Sequence, residues 1–237
     1  MYIKTEEQKL LLESLREMIK REFTDSYFQE CDEKSVYPFR LAKAMLDNGF
    51  TLLGVPEEYG GTPSDIMTLC LMYEELGRLG VPYGTVMGAL TICDILMFGN
   101  DEQKRRVIGA VSKDGVNPCS LGITEPQAGS DDSAIASTYV RKDGKIYING
   151  HKTFISHFAE SSLCLFIARD PNVENAKKSF PCFMVDTSKP GISYSQIHKA
   201  GYRATPTYEV VFNDVEVCEE DIVGKEHEGF MFAMKNF

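Results

Sequence analysis

The sequence lacks the residue patterns that mark several classes of protein. Its seven cysteines occur singly, the closest pair being Cys164 and Cys182, so there is neither a CxxC redox pair nor a zinc knuckle. An odd number of scattered cysteines is typical of reduced thiols, which predicts a cytoplasmic protein. The four histidines also lack the spacing of metal ligands. The sequence therefore predicts neither a disulfide framework nor a metal site.

Long apolar runs and basic clusters are also scarce. The N-terminus, MYIKTEEQ, has no apolar run of the signal-peptide type. The longest stretch without a charge, Leu79 to Cys93, is interrupted by glycine and proline and is shorter than the about 20 residues of a membrane-spanning helix. A formal net charge of -10 argues against a surface for nucleic acid or anionic lipid. We therefore expect neither nucleic acid nor a membrane as a partner.

The first half of the sequence has the apolar spacing of helices, and 43% hydrophobic residues are enough to bury a core. Thr5 and Gln8 form a capping-box pattern. The stripe predicted to follow consists of Leu11, Leu15, Met18, Ile19 and Phe23. Further helices are predicted to begin near Pro38, Thr62, Gly84 and Asn100. In the third helix, the predicted inward stripe consists of Ile66, Leu69, Cys70, Tyr73 and Leu76. The basic triplet Lys104 to Arg106 indicates a solvated helix face.

From Asn117 onward the apolar period changes from 3.6 to 2. Two alternating runs flank Lys142 to Lys145, a hairpin pattern because glycine can supply positive φ in the turn. Further predicted strands are 163–168, 181–185, 192–197 and 208–212. Short antiparallel strands at this spacing favour a small barrel or two packed sheets. The fold class is thus α+β, with a helical domain at 1–116, a barrel-like β-domain at 117–225, and the start of another helical domain at 226–237.

The stretch from Ser120 to Ser156 places a loop of small and hydroxyl residues between two strand ends. Thr124, Ser130 and Ser156 offer donors and acceptors, and Gly129 allows a close backbone approach. Such loops can hold a pyrophosphate, and Phe154 offers a flat apolar surface to an aromatic ring. The same composition also occurs in ordinary turns. From chemistry alone, both interpretations stay open.

The order of residues in this stretch resembles a known family. Ile123-Thr124-Glu125-Pro126-x-Ala-Gly129-Ser130-Asp131, followed by Asn149-Gly150-x-Lys152-x-Phe154-Ile155-Ser156, is similar to the paired signatures of acyl-CoA dehydrogenases. The resemblance covers the whole chain. Its supporting stretches are PEEYGG (56–61), YEELG (73–77), GNDEQK (99–104) and FNDVEV (212–217).

This resemblance implies a helical domain and a β-domain that hold FAD against a C-terminal helical domain. Leu121, Ile123 and Thr124 match positions that face the flavin. Gly129 and Ser130 match the loop at the pyrophosphate, Ser130 also at the phosphates of the CoA substrate. Phe154 and Ser156 match a tryptophan and a threonine beside the isoalloxazine. Gln127 stands where the family commonly has glycine, which would cost about 1 kcal/mol if the position needs positive φ.

The implied reaction is α,β-desaturation of an acyl-CoA thioester or its reverse, with electron-transfer flavoprotein and a homo-oligomer as implied partners. The catalytic base of typical members lies in the C-terminal domain, which we expect this chain to lack, so no catalytic residue is assigned. Glu125 is interpreted as a support of its loop. Three stretches (27–38, 75–82 and 185–192) resemble the crotonobetainyl-CoA reductase branch. The alternative function is a catalytically inactive, dehydrogenase-like binding module.

Overall fold

The computed structural model describes residues 3–82, 88–131, 134–173 and 180–226. These residues form two compact units. The first contains residues 3–82, 111–116 and 199–205, and the second contains the remainder. The helices are α1 (Glu6–Glu22), α2 (Asp25–Glu33), α3 (Phe39–Asp47), α4 (Ile66–Arg78), α5 (Gly88–Phe98) and α6 (Asp101–Asp114). The predicted change from helices to strands along the chain is confirmed.

Helix α1 begins at the predicted capping box. The Gln8 amide donates to Thr5 Oγ1 at 3.2 Å, and the Thr5 amide donates to Gln8 Oε1 at 3.1 Å. The buried face includes Leu12 as well as Leu15, Met18 and Ile19, whereas Leu11 is only partly buried. The predicted stripe is therefore correct except at its start. Three consecutive leucines (10–12) occur there, and the sequence does not show which of them faces inward.

Two features of the first unit differ from the predictions. Helix α2 was not predicted, because its nine residues bury only Phe28 and Cys31, too few to define a period. The predicted stripe of α4 was wrong at Ile66 and Cys70, which are exposed. The residues that α4 buries are Leu69, Leu71, Met72, Glu75 and Leu76. Apolar residues surround most of this helix, so the sequence did not specify which face packs inward.

In the second unit, the cap of α6 matches its prediction. The Gln103 amide donates to Asn100 Oδ1 at 2.9 Å, and the Asn100 amide donates to Gln103 Oε1 at 3.1 Å. Nε2 of the same Gln103 side chain donates to the backbone carbonyls of Glu220 and Ile222. A side chain that looked like a simple cap therefore also fixes the segment that follows the last strand.

Within the described part of the chain, seven strands form two sheets. They are β1 (Cys119–Gly122), β2 (Thr138–Lys142), β3 (Lys145–Ser156), β4 (Leu163–Ile167), β5 (Cys182–Asp186), β6 (Ile192–Gln196) and β7 (Thr207–Val217). The sheet orders are β1-β4-β5 and β2-β3-β7-β6. The hairpin prediction is confirmed, with Asp143 and Gly144 at positive φ in its turn. The antiparallel arrangement predicted for the short strands is found in the pairs β2-β3, β3-β7, β4-β5 and β6-β7, whereas β1 pairs parallel to β4.

The inner faces of the two sheets share one apolar core. Ile148 and Ile155 from β3, Phe166 from β4, Phe183 from β5 and Val210 from β7 all belong to it. Alternating buried and exposed residues along β7 show why the sequence folds this way. The predicted helix at 228–237 lies outside the described residues, as does the first part of the helix predicted from Gly84.

Candidate functional site

The loop after β1 runs alongside the end of β3. The Thr153 amide donates to the Thr124 carbonyl at 2.9 Å, and Lys152 Nζ donates to the Ile123 carbonyl at 3.0 Å. Leu121, Ile123 and Thr124 are each partly exposed beside this junction. The structure thus places the first predicted group of site residues next to the strand that carries the second group.

A bulge in β3 presents Phe154 to the solvent. The pairing of β3 with β7 shifts between Lys152 and Ile155, so Thr153 and Phe154 together oppose Glu209. Phe154 has φ of 58°, in the left-handed region, and its side chain is 64% exposed. Ser156 is exposed as well. We call Leu121, Ile123, Thr124, Phe154 and Ser156 the wall.

Beneath the wall lies a buried ion pair. Lys152 Nζ is 2.7 Å from Glu125 Oε1, and the two side chains are 0% and 2% exposed. The Glu125 carboxylate also accepts from the amides of Ala136 and Ser137, at 2.8 and 3.0 Å. Burial acts to raise the pKa of Glu125, but the charge and hydrogen bond of Lys152 and the hydrogen bonds from Ser137 and Ala136 outweigh it. Its pKa is lowered. Glu125 is therefore an ionised structural anchor, as the sequence predicted.

Gly129 and Ser130 lie on the exposed loop that follows the turn between Glu125 and Ala128. A Cβ added to Gly129 would meet nothing within 4 Å, so this surface is open. Within the part of the chain that the structure describes, no hydrogen bond or ion pair joins Ser130 to the wall. The wall and this loop are therefore two separate parts of the candidate site.

The departure at Gln127 carries no backbone strain. Gln127 is not among the described residues with positive φ, so a glutamine here does not incur the free-energy cost of a left-handed backbone conformation. Its side chain instead donates to Glu125 Oε2 at 2.5 Å. A glutamine at this position thus adds a partner to the carboxylate that anchors the loop.

Two of the described histidines have polar partners, and a third, His198, is exposed. His151 lies 2.8 Å from Glu209, and His157 is buried against Asn117 and Ser161. His227 lies outside the described residues. No group of three or more potential metal ligands occurs among residues 3–82, 88–131, 134–173 and 180–226. In the same ranges, none of the helices is long and apolar enough to cross a membrane.

Sequence reasoning missed the importance of Lys152. A signal was present, because alternate residues of a strand point to the same face of the sheet. Lys152 is therefore on the same face of β3 as Ile146 and Ile148, which belong to the core, and as Gly150. A lysine at an inward position of a strand needs a buried partner. The nearby Glu125 is that partner.

Comparisons with known proteins identify the family of this chain. The family model "Acyl-CoA dehydrogenase, N-terminal domain" matches residues 5–114, and "Acyl-CoA dehydrogenase, middle domain" matches residues 120–215. The chain belongs to the acyl-CoA dehydrogenase family. The second of these models spans the wall, the loop with Gly129 and Ser130, and the buried ion pair.

Individual relatives of this acyl-CoA dehydrogenase family member are similar over nearly its whole length. The probable acyl-CoA dehydrogenase YdiO of Escherichia coli K12 is 43% identical over 233 residues, which is 98% of this chain and 61% of YdiO. Butyryl-CoA dehydrogenase from Megasphaera elsdenii is 26% identical with a TM-score of 0.86, over 100% of this chain and 63% of that one.

A chain in the structure of the electron transferring flavoprotein of Acidaminococcus fermentans is 30% identical with a TM-score of 0.88, over 100% of this chain and 62% of that one. The chain therefore spans a little over three fifths of the length of each of these three proteins.

Proposed function

We propose that this chain is the N-terminal and middle part of an FAD-dependent acyl-CoA dehydrogenase, and that the wall is its flavin-facing surface. The observation that carries the proposal is the exposed aromatic ring of Phe154. A bulge and a positive φ hold this ring in the solvent, beside Thr124 and Ser156. An exposed ring in a strained backbone conformation is typical of a binding site.

The residues of the candidate site are suited to a flavin nucleotide. The ring of Phe154 would cover part of the isoalloxazine, and the hydroxyl groups of Thr124 and Ser156 would orient its polar edge. The open backbone at Gly129 and the hydroxyl of Ser130 would receive phosphate oxygens of FAD, and Ser130 also those of CoA. The fit is supported by the exposure of Gly129, Ser130, Phe154 and Ser156 and by the partial exposure of Thr124.

The described residues would bind and orient rather than perform proton chemistry. FAD, when bound, supplies the acceptor for the hydride that leaves the acyl chain. The buried carboxylate of Glu125 is held by Lys152 and two backbone amides, so it is not free to remove a substrate proton. The catalytic base of the whole enzyme is therefore proposed to lie outside the described residues.

The finer features of the proposal come from the family resemblance and, for the location, from the scattered cysteines. We propose an acyl-CoA thioester as substrate, electron-transfer flavoprotein as electron acceptor, a homo-oligomeric assembly and a cytoplasmic location. The resemblance to crotonobetainyl-CoA reductases makes a carnitine-derived thioester one substrate to test. The alternative of an inactive binding module finds no support in relatives that are named as dehydrogenases.

Flavin binding by the purified chain tests the proposal. We expect the chain to retain FAD after desalting, with visible flavin absorption near stoichiometric. Phe154→Ala should raise the Kd for FAD at least about fivefold, because a stacked aromatic ring contributes about 1 kcal/mol beyond its buried area. Val211→Ala, at another exposed strand position, is the control and should leave the Kd unchanged. A colourless protein, or equal Kd values for both variants, would contradict the proposal.

A further inference from the structure

The buried ion pair of Lys152 and Glu125 connects three segments of chain. Lys152, on β3, donates to Glu125 Oε1 at 2.7 Å and to the Ile123 carbonyl at 3.0 Å. Glu125 lies on the loop after β1, and it accepts from the amides of Ala136 and Ser137 just before β2. The pair therefore links the two segments of the wall to each other and to a third segment.

Stability alone does not account for such a pair. Removing two charges from water is costly, and an apolar pair of similar volume often gives equal or greater stability. Lys152 is fully buried and lies 5.1 Å from the centre of the Phe166 ring, so an apolar side chain could pack at this position. What an apolar chain cannot supply is a directed donor to the Ile123 carbonyl.

We propose that Lys152 is a positioning residue: with Glu125 it holds Ile123 and Thr124 in register with Thr153 and Phe154, so that the two halves of the wall form one surface. The inference rests on the proposed function, because the surface is the one assigned to the flavin. Lys152 itself is buried and acts through the residues that it holds.

Three variants separate positioning from stability. Lys152→Met and Glu125→Gln each leave one buried partner without its counterpart, so both should unfold at lower urea concentration than the wild type. The double variant K152M/E125Q removes both charges and should recover most of the urea midpoint. The double variant should not restore the alignment of the two wall segments, because the donor to the Ile123 carbonyl is still missing.

Two measurements on the double variant decide the matter. Amide hydrogen exchange of Thr153, measured without FAD, should be at least tenfold faster than in the wild type, while exchange in β4 and β5 should be unchanged. The Kd for FAD should rise at least tenfold despite the recovered midpoint. The matched control is R16M/E75Q, which removes another buried carboxylate and its arginine from the first unit and should change neither quantity.

Each outcome has one meaning. Wild-type exchange at Thr153 in the double variant overturns the inference, and so does wild-type FAD affinity. Either result would mean that the ion pair contributes only stability, which the uncharged side chains restore. If the wild-type chain binds no FAD, the proposed function fails, and the exchange of Thr153 still decides whether Lys152 positions the two segments.

Discussion

Glu75 shows how a single residue can depart from the helical pattern around it. Periodicity along α4 treats Glu75 as polar surface, yet it is 6% exposed. Arg16 on α1 donates to both of its carboxylate oxygens, at 2.7 and 2.9 Å, and Arg78 adds a third bond at 2.9 Å. No local pattern could predict this, because Arg16 is 59 positions away. The planar guanidinium makes the burial possible, since its two donors match the carboxylate.

This contact predicts an acid-sensitive contribution to stability. The hydrogen bond from Arg16, followed by the bond from Arg78 and the charges of both arginines, lowers the pKa of Glu75 from 4.5 to about 2 against the opposing effect of burial. A lowered pKa means that the stabilisation is complete above pH 4.5 and is lost as the pH falls from 4.5 towards 2. Because the arginines are substantially exposed, we expect a loss of about 1 kcal/mol between pH 5.5 and pH 3.

Urea unfolding of the wild type, Glu75→Gln and Glu74→Gln at these two pH values measures that loss. E75Q should be less stable than the wild type at pH 5.5 and should lose about 1 kcal/mol less on acidification. E74Q alters the exposed neighbour and should follow the wild type. Equal acid dependence in wild type and E75Q would show that the contact contributes nothing.

Strand β3 shows which parts of an element the sequence specifies. Its hairpin was predictable because Asp143 and Gly144 suit positive φ, and its first half because apolar residues alternate. The bulge was not predictable, since an extra residue shifts the alternation and depends on pairing with β7. The resemblance nevertheless selected Phe154 and Ser156, both of which are exposed at or after the bulge. The family pattern therefore carried information that periodicity did not.

From the positive φ of Phe154 we predict which of two variants, with glycine or with alanine at this position, is the more stable. Glycine relieves left-handed strain and alanine does not, so F154G should be more stable than F154A by about 1 kcal/mol. At Val211, where the strand is regular and φ is not positive, V211G should be less stable than V211A by about 0.5–1 kcal/mol. Denaturant unfolding of the four variants checks both orders. The same order at both positions would mean that the bulge does not hold Phe154 in this conformation.

Across the molecule, local signals predicted most elements and tertiary contacts decided the rest. Thr5 and Asn100, at two of the predicted helix starts, accept amide bonds as caps, whereas the helix predicted to begin near Thr62 begins at Ile66 and is capped by Asp65. The parallel pairing of β1 with β4 could not be predicted, because the paired residues are about 44 positions apart and the whole β2-β3 hairpin lies between them in the chain. The candidate site depends on this pairing, since β1 leads directly into the wall.

The division into two units predicts where a bound flavin should stabilise the molecule. All seven candidate cofactor residues (Leu121, Ile123, Thr124, Gly129, Ser130, Phe154 and Ser156) belong to the second unit. A ligand stabilises the parts of a protein whose opening would release it. Saturating FAD should therefore slow hydrogen exchange in peptides that cover 121–130 and 153–156, by more than tenfold, and leave α1 and α3 unchanged.

Hydrogen exchange with riboflavin in place of FAD tests the wall and the loop with Gly129 and Ser130 independently of each other. Riboflavin has the isoalloxazine ring but no phosphate, so it should protect 153–156 while leaving 129–130 close to the ligand-free rate. Hydrogen exchange followed by mass spectrometry would resolve both segments. Equal protection of 129–130 by riboflavin and FAD would remove the phosphate role from Ser130. Protection confined to α1 and α3 would place the flavin elsewhere and would contradict the assignment of the wall, because local stabilisation has to occur where the ligand makes its contacts.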